Sequence, residues 1–208
     1  MAATTPDRPK DPFTAALVAL RSALRGGRFS RGEPLTITEL AHDLSLSATP
    51  VREALSRLAG EGLIEDRRGR GYFARRLDVA DLVELYGLRG LYLGEALNER
   101  HGQGQTSLEP TSGAAHERLA WIMDRLVAQA GNRALFDAYR SICDRLGPAT
   151  DVEPQLFRID EELEAIEAAE PAGQPALSIV LDRMHADRRA RADELVRAIR
   201  ARANIATL

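Results

Sequence analysis

Apolar residues recur three and four positions apart from Phe13 to Leu24, through Ala16, Leu17 and Leu20, and predict a first helix that Gly26-Gly27 ends. A second is expected from near Thr36 to about Leu44, with Thr36 as N-cap and Glu39 completing a capping-box pattern. A third follows, capped by Ser47 or Thr49, with Pro50 in its first turn. Val51, Ala54, Leu55 and Leu58 form its inner stripe, and Gly60–Gly62 close it. The helical spacing then stops. Leu63–Asp66 and Tyr72–Ala74 flank Arg67-Arg68-Gly69-Arg70-Gly71, two short strands around a Gly-rich turn. Three helices and a basic hairpin in this order are the layout of a winged helix-turn-helix.

From Asp78, a good N-cap, the pattern is helical throughout. Leu82, Val83, Leu85, Tyr86, Leu91, Leu93, Ala96 and Leu97 predict a broad apolar face, wide enough for an internal helix. Residues 101–114 read as a loop by composition. Further helices are expected at about 115–130, 132–147, 153–169 and 175–203, broken at Gly131-Asn132, Gly147-Pro148 and Pro171–Pro175. The expected fold class is mainly α, a winged helix-turn-helix at residues 13–77 and an all-helical bundle at 78–208, behind a flexible arm at 1–12.

Composition agrees. Among 208 residues 44% are apolar but only 5% aromatic, which favours helix over strand. No run is long and apolar enough for a membrane span, and residues 1–12 lack the apolar core of a signal peptide. One cysteine, Cys143, leaves no intramolecular disulfide, so the expected home is the reducing cytoplasm. Charge changes the picture more. Residues 1–78 hold 13 basic and 10 acidic side chains, whereas residues 79–208 hold 15 and 21. All but one of the basic residues are Arg, the better fork for phosphate and guanine. A nucleic-acid-facing amino half is the implication.

In a helix-turn-helix the second helix of the pair enters the major groove amino end first. That places Ser47 and Thr49 at the helix start, where hydroxyls and free amides suit phosphate. Arg52, one turn in, has the reach to fork onto a guanine, and Arg57 the reach to the backbone from the same helix. At the hairpin tip Arg68, Gly69, Arg70 and Gly71 suit a wing, since glycine permits close approach and arginine fits a narrow minor groove. The alternative for Thr49 is a plain helix cap, for Arg52 an ion pair, and for the tip a solvated turn.

The run from Leu46 to Ile64, with S-x-T-P-V-R-E-A-L in its helix, followed by Arg68-Gly-Arg-Gly-Tyr-Phe, resembles the GntR family of bacterial transcription regulators. The resemblance covers residues 13–76, and its implied DNA contacts fall on Thr38, Ser47, Thr49, Pro50, Arg52, Gly69 and Arg70. Where the family commonly has Arg this chain has Ala48, which implies a different operator preference or a weaker hold. Asp78–Leu91 and Ala130–Leu135 are similar to parts of the family's helical effector domain called FCD.

Many such domains hold a metal through an Asp, a His four residues later and two further His. Here the first two positions fall on Leu119 and Met123, which can only pack, and the third near Ile159 or Asp160. Only His185 lies near a ligand position, while His101 and His116 border the loop. No metal site and no cofactor are therefore expected. Arg89, at the family's Y-x-L-R position, is the candidate to pair with an anionic effector; its structural alternative is an ion pair to Glu95 or Asp124.

An enzyme is not expected. No Ser-His-Asp or Cys-His arrangement or phosphate-cradling glycine loop is present, and Gly102-Gln-Gly104 reads as a turn. Cys143 sits on a helix between Ile142 and Asp144, and Glu161, Glu162, Glu164 and Glu167 make an acidic run that reads as a solvated face or an interaction surface. The expectation is a sequence-specific transcriptional regulator, a repressor, binding a double-stranded inverted-repeat operator as a homodimer and open to modulation by a small-molecule effector. The alternative is a regulator or scaffold without an effector, whose helical domain serves dimerisation or protein docking.

Overall fold

The structure, a computed structural model, describes residues 11–29, 32–75, 77–99 and 113–205, with side chains as far as Arg202. Residues 1–10 of the expected arm and 101–112 of the expected loop, with His101 and Gly102–Gly104, lie outside the described residues. The chain divides into two compact units, one ending at Arg76 and one beginning at Leu77. It is mainly helical, an N-terminal winged helix-turn-helix unit and a C-terminal helical unit. None of the described helices is long and apolar enough to cross a membrane.

In the N-terminal unit α1 (Pro12–Arg25) is capped by Asp11, whose carboxylate accepts from the Thr14 amide at 3.2 Å. The helix thus starts inside the stretch expected to be arm. A two-residue strand β1 (Pro34–Leu35) precedes α2 (Ile37–Asp43), and α3 (Ala48–Gly60) follows. Thr36 and Ser47 occupy the two N-cap positions, yet neither hydroxyl bonds to its helix, so the expected capping box at Thr36 and Glu39 is not formed. The turn between α2 and α3 is a left-handed cap. Leu46 N–H donates to Ala41 C=O at 2.9 Å and Ser45 N–H to His42 C=O at 3.1 Å, with Ser45 at φ 55°.

Strands β2 (Ile64–Arg67) and β3 (Gly71–Ala74) form the hairpin, and β1 adds to the far side of β3, so the sheet order is β1-β3-β2. All pairings are antiparallel. Ala16, Leu20, Leu40, Val51, Ala54, Leu55, Leu58 and Ile64 build one core, the stripe expected of α3 among them. That core fixes which face of α3 remains in solvent.

The C-terminal unit comprises α4 (Val79–Glu99), α5 (Ala115–Ala128), α6 (Arg133–Thr150), α7 (Ile159–Ala169), α8 (Gln174–Ala190) and α9 (Ala192–Ile205). Asp78 caps α4 reciprocally: its carboxylate accepts from the Asp81 amide at 2.8 Å, and Asp81's accepts from the Asp78 amide at 3.1 Å. Leu93, Leu97, Leu119, Ile122, Met123, Leu126, Leu163 and Ile166 form one apolar cluster; Leu82, Leu85, Tyr86, Leu146 and Leu195 belong to a second. α4 contributes to both.

Four expectations are corrected. Leu91 is 69% exposed and lies off the buried face. Helix α6 runs through Gly147-Pro148 to Thr150, with Pro148 inside its last turn. Glu153–Gln155 is a short 3-10 turn separate from α7. The expected helix at 175–203 is two helices that part at Arg191, whose guanidinium reaches the Leu156 carbonyl at 2.6 Å and Glu194 at 2.8 Å.

Candidate nucleic-acid interface

Helix α3 turns every large apolar side chain inward, and its amino end meets solvent. Ser47, Ala48, Thr49 and Arg52 are exposed, and so is Thr38 on α2. With Ser47 making no cap bond, the first amides of α3 keep no side-chain partner from the N-cap. Arg52 enters no ion pair among the described residues, so the fork that its alternative reading would have tied up is free. Pro50 is buried in the first turn of α3.

Arg57 is held differently. Its Nε donates to Glu61 at 2.7 Å, one helical turn on, and Glu61 also takes Arg21 at 2.6 Å. It remains exposed but is committed within the chain. At the hairpin, Arg68, Gly69, Arg70 and Gly71 are all exposed. Gly69 and Gly71 adopt φ 72° and φ 92°, a region that side chains resist, and Arg70 N–H closes the turn on Arg67 C=O at 2.7 Å. Arg67 instead lies over the Phe73 ring at 4.2 Å and bonds Glu65, so its stem braces the hairpin. Arg68 and Arg70 make no ion pair among the described residues. Two elements thus offer free arginines on a braced frame.

The C-terminal unit encloses a cluster of charged and polar side chains. Arg89 is buried; its Nε donates to His185 Nε2 at 3.0 Å, and its Nη2 lies 3.9 Å from Glu153. Neither Glu95 nor Asp124 is its partner: Glu95 is exposed, and Asp124 takes Arg140. His185 Nδ1 bonds the Leu181 carbonyl at 2.6 Å, which fixes the proton on Nδ1 and leaves Nε2 as acceptor. Burial, then the adjacent Arg89, push its pKa down to about 3, so the ring is neutral.

Glu153 accepts from Tyr86 Oη at 2.7 Å and from Arg188 at 2.9 Å, and Arg188 also pairs Glu162 at 2.7 Å. Burial raises the Glu153 pKa, but Arg188 and Arg89 outweigh it and hold the carboxylate below its ordinary range. Leu119 and Met123 are core residues, as their chemistry requires, and His116 is on α5. Burial also raises the thiol pKa of half-buried Cys143. Glu153, Arg188 and the polar role of Tyr86, expected only as an apolar-face residue, escaped the sequence reading because no local spacing connects residues so far apart in the chain.

Residues 15–73 match the model of the bacterial regulatory proteins of the gntR family. The Nta operon transcriptional regulator of Aminobacter aminovorans is 33% identical over 156 residues, which span 64% of this chain and 71% of that protein. The chain belongs to the GntR family. GntR proteins are DNA-binding transcriptional regulators, which gives the exposed end of α3 and the hairpin tip a family context. McbR/YncC of E. coli shares the fold with a TM-score of 0.69 at 15% identity, over 89% of this chain and 98% of that one. Within the GntR frame Ala48 stands exposed at the helix start, so a longer side chain there would meet no obstacle from the core.

Proposed function

We propose that this GntR protein binds a specific duplex operator through its N-terminal unit, as a homodimer at an inverted repeat. One observation carries the reading: α3 presents free hydroxyls, uncapped amides and an unpaired Arg52 at its solvent-exposed amino end. Arg52 reads a base edge in the major groove, and Ser47, Thr49 and Thr38 hold phosphates. Arg68 and Arg70 enter the adjacent minor groove or grip its backbone, with Gly69 and Gly71 allowing close approach. Arg57 serves as an outer backbone contact once Glu61 releases it, and Pro50 only shapes the helix start.

Occupying a promoter obstructs polymerase, so repression is the expected outcome. A ligand of the helical unit would act through its differential affinity for two spacings of the winged units. A second reading is favoured by Arg89, whose guanidinium is engaged by His185 and faces Glu153. On that reading the helical unit serves dimerisation or protein docking, with no acidic effector at Arg89.

Selection of genomic fragments with the full chain at two salt concentrations tests the proposal. Enrichment of a short inverted repeat that persists at the higher salt is expected. Salt-sensitive capture of fragments with no shared site would contradict it.

A further inference from the structure

The solvent-facing arc of α3 carries a carboxylate as well as arginines. Glu53 follows Arg52 directly and is exposed. It enters no hydrogen bond or ion pair among the described residues. That freedom is not for want of a neighbour. Arg57 lies one helical turn beyond Glu53, in the order that favours a glutamate–cation pair on a helix. Yet its Nε turns the other way, to Glu61 at 2.7 Å, and Glu61 is itself held by Arg21 of α1 at 2.6 Å. The tie from α1 thus keeps Arg57 at the far end of the helix and leaves the Glu53 carboxylate bare.

At about 100° per residue, Arg52 stands about 60° to one side of exposed Thr49 around the helix and Glu53 about 40° to the other. Side chains on a helix lean toward its amino end, so both point back over the first turn, the part of a recognition helix that meets base edges. Adjacent Cα atoms are about 3.8 Å apart and stacked bases about 3.4 Å, so neighbours on the helix match neighbouring base pairs.

A free carboxylate is repelled by phosphate, so it costs affinity unless the duplex returns a donor. In the major groove only cytosine N4 and adenine N6 donate, and adenine sets its N7 acceptor beside that donor. Cytosine N4 is therefore the edge that a carboxylate takes. Arg52 has the opposite need and forks onto guanine O6 and N7. Opposite charges on adjacent residues thus suit opposite edges on adjacent base pairs.

We propose that Glu53 determines specificity by accepting from cytosine N4 in the base pair next to the guanine read by Arg52. The inference rests on the operator-binding reading above and extends it by one base pair. Selection from a duplex library randomised across one half-site tests it, using the full chain as wild type, Glu53→Ala, Glu53→Gln and Arg52→Ala. Circular dichroism checks that each variant folds. The wild type is expected to require cytosine beside the guanine whose selection depends on Arg52. Glu53→Ala should lose that one preference, and its ratio of operator to scrambled-duplex affinity should fall about tenfold. Removal of a negative charge alone would tighten both duplexes equally and leave the ratio unchanged. Glu53→Gln should move the preference from cytosine to adenine, whose N6 and N7 a carboxamide matches. Base preferences unchanged in both Glu53 variants, while Arg52→Ala still loses its guanine, overturn this inference and leave the operator reading standing. No preference altered by any variant, or none shown by the wild type, overturns both.

Discussion

Burial decides what each arginine does. Arg52 is exposed and unpaired, so its fork is free for a ligand, whereas Arg188 is fully buried and bonded to Glu153 and Glu162. Removing Arg188 takes from Glu153 and Glu162 the guanidinium that both bond and leaves Glu153 only Arg89 at 3.9 Å as a cation, so Arg188→Met should cost about 3 kcal/mol or more in urea unfolding. A loss under about 1 kcal/mol would show the cluster to be solvated. His185 gives a pH signature. Its folded pKa of about 3 lies below the unfolded value near 6.5, so between these the unfolded chain binds more protons. Stability therefore rises with pH across that window and is lost as pH falls, by up to about 1.4 kcal/mol per pH unit. Glu153, with its lowered pKa, adds to the acid side of the same trend. His185→Gln should flatten the pH dependence between pH 6 and 4, read from thermal unfolding; an unchanged slope would mean that His185 titrates freely.

At the scale of elements, legibility tracked how local the signal was. The stripe of α3 and the glycines of the hairpin are short-range patterns, and both appear where the spacing predicts them. β1 went unseen because two residues carry no periodicity, and the α8–α9 junction because Arg191 is neither Gly nor Pro. That junction is held by Arg191, which bonds the Leu156 carbonyl from 35 residues away as well as its near neighbour Glu194, and no short window along the sequence contains the first of these bonds. The hairpin invites its own test. Arg68→Ala and Arg70→Ala should weaken binding to selected and unrelated duplexes alike, each lowering the salt slope by about one. Loss confined to the selected duplex would instead make these residues base readers.

The two units place their arginines differently. The N-terminal unit leaves Arg52, Arg57, Arg68 and Arg70 exposed on a frame set by one core; the C-terminal unit buries Arg89 and Arg188. The candidate DNA contacts were legible because the motif is contiguous from Ser47 to Gly71, but the burial of Pro50 and the Arg57–Glu61 pair were not, since both depend on packing. The partners of Arg89 and the exposure of Leu91 needed the folded bundle for the same reason. A two-fold dimer also fixes distance along the duplex. Inserting about five base pairs between half-sites turns them to opposite faces and should cut affinity by at least about tenfold, with a full helical turn harming less. Insensitivity to spacing would mean that the half-sites are bound independently.

The central claim is that Arg52, at the exposed start of α3, reads a base. Equilibrium binding of the full chain and of Arg52→Ala to the selected operator and to a scrambled duplex, at one salt concentration, tests it directly. Arg52→Ala should lose about ten- to a hundredfold on the operator, the equivalent of about 1–3 kcal/mol, and little on the scrambled duplex. Unchanged operator affinity, or an equal loss on both duplexes, would contradict the reading.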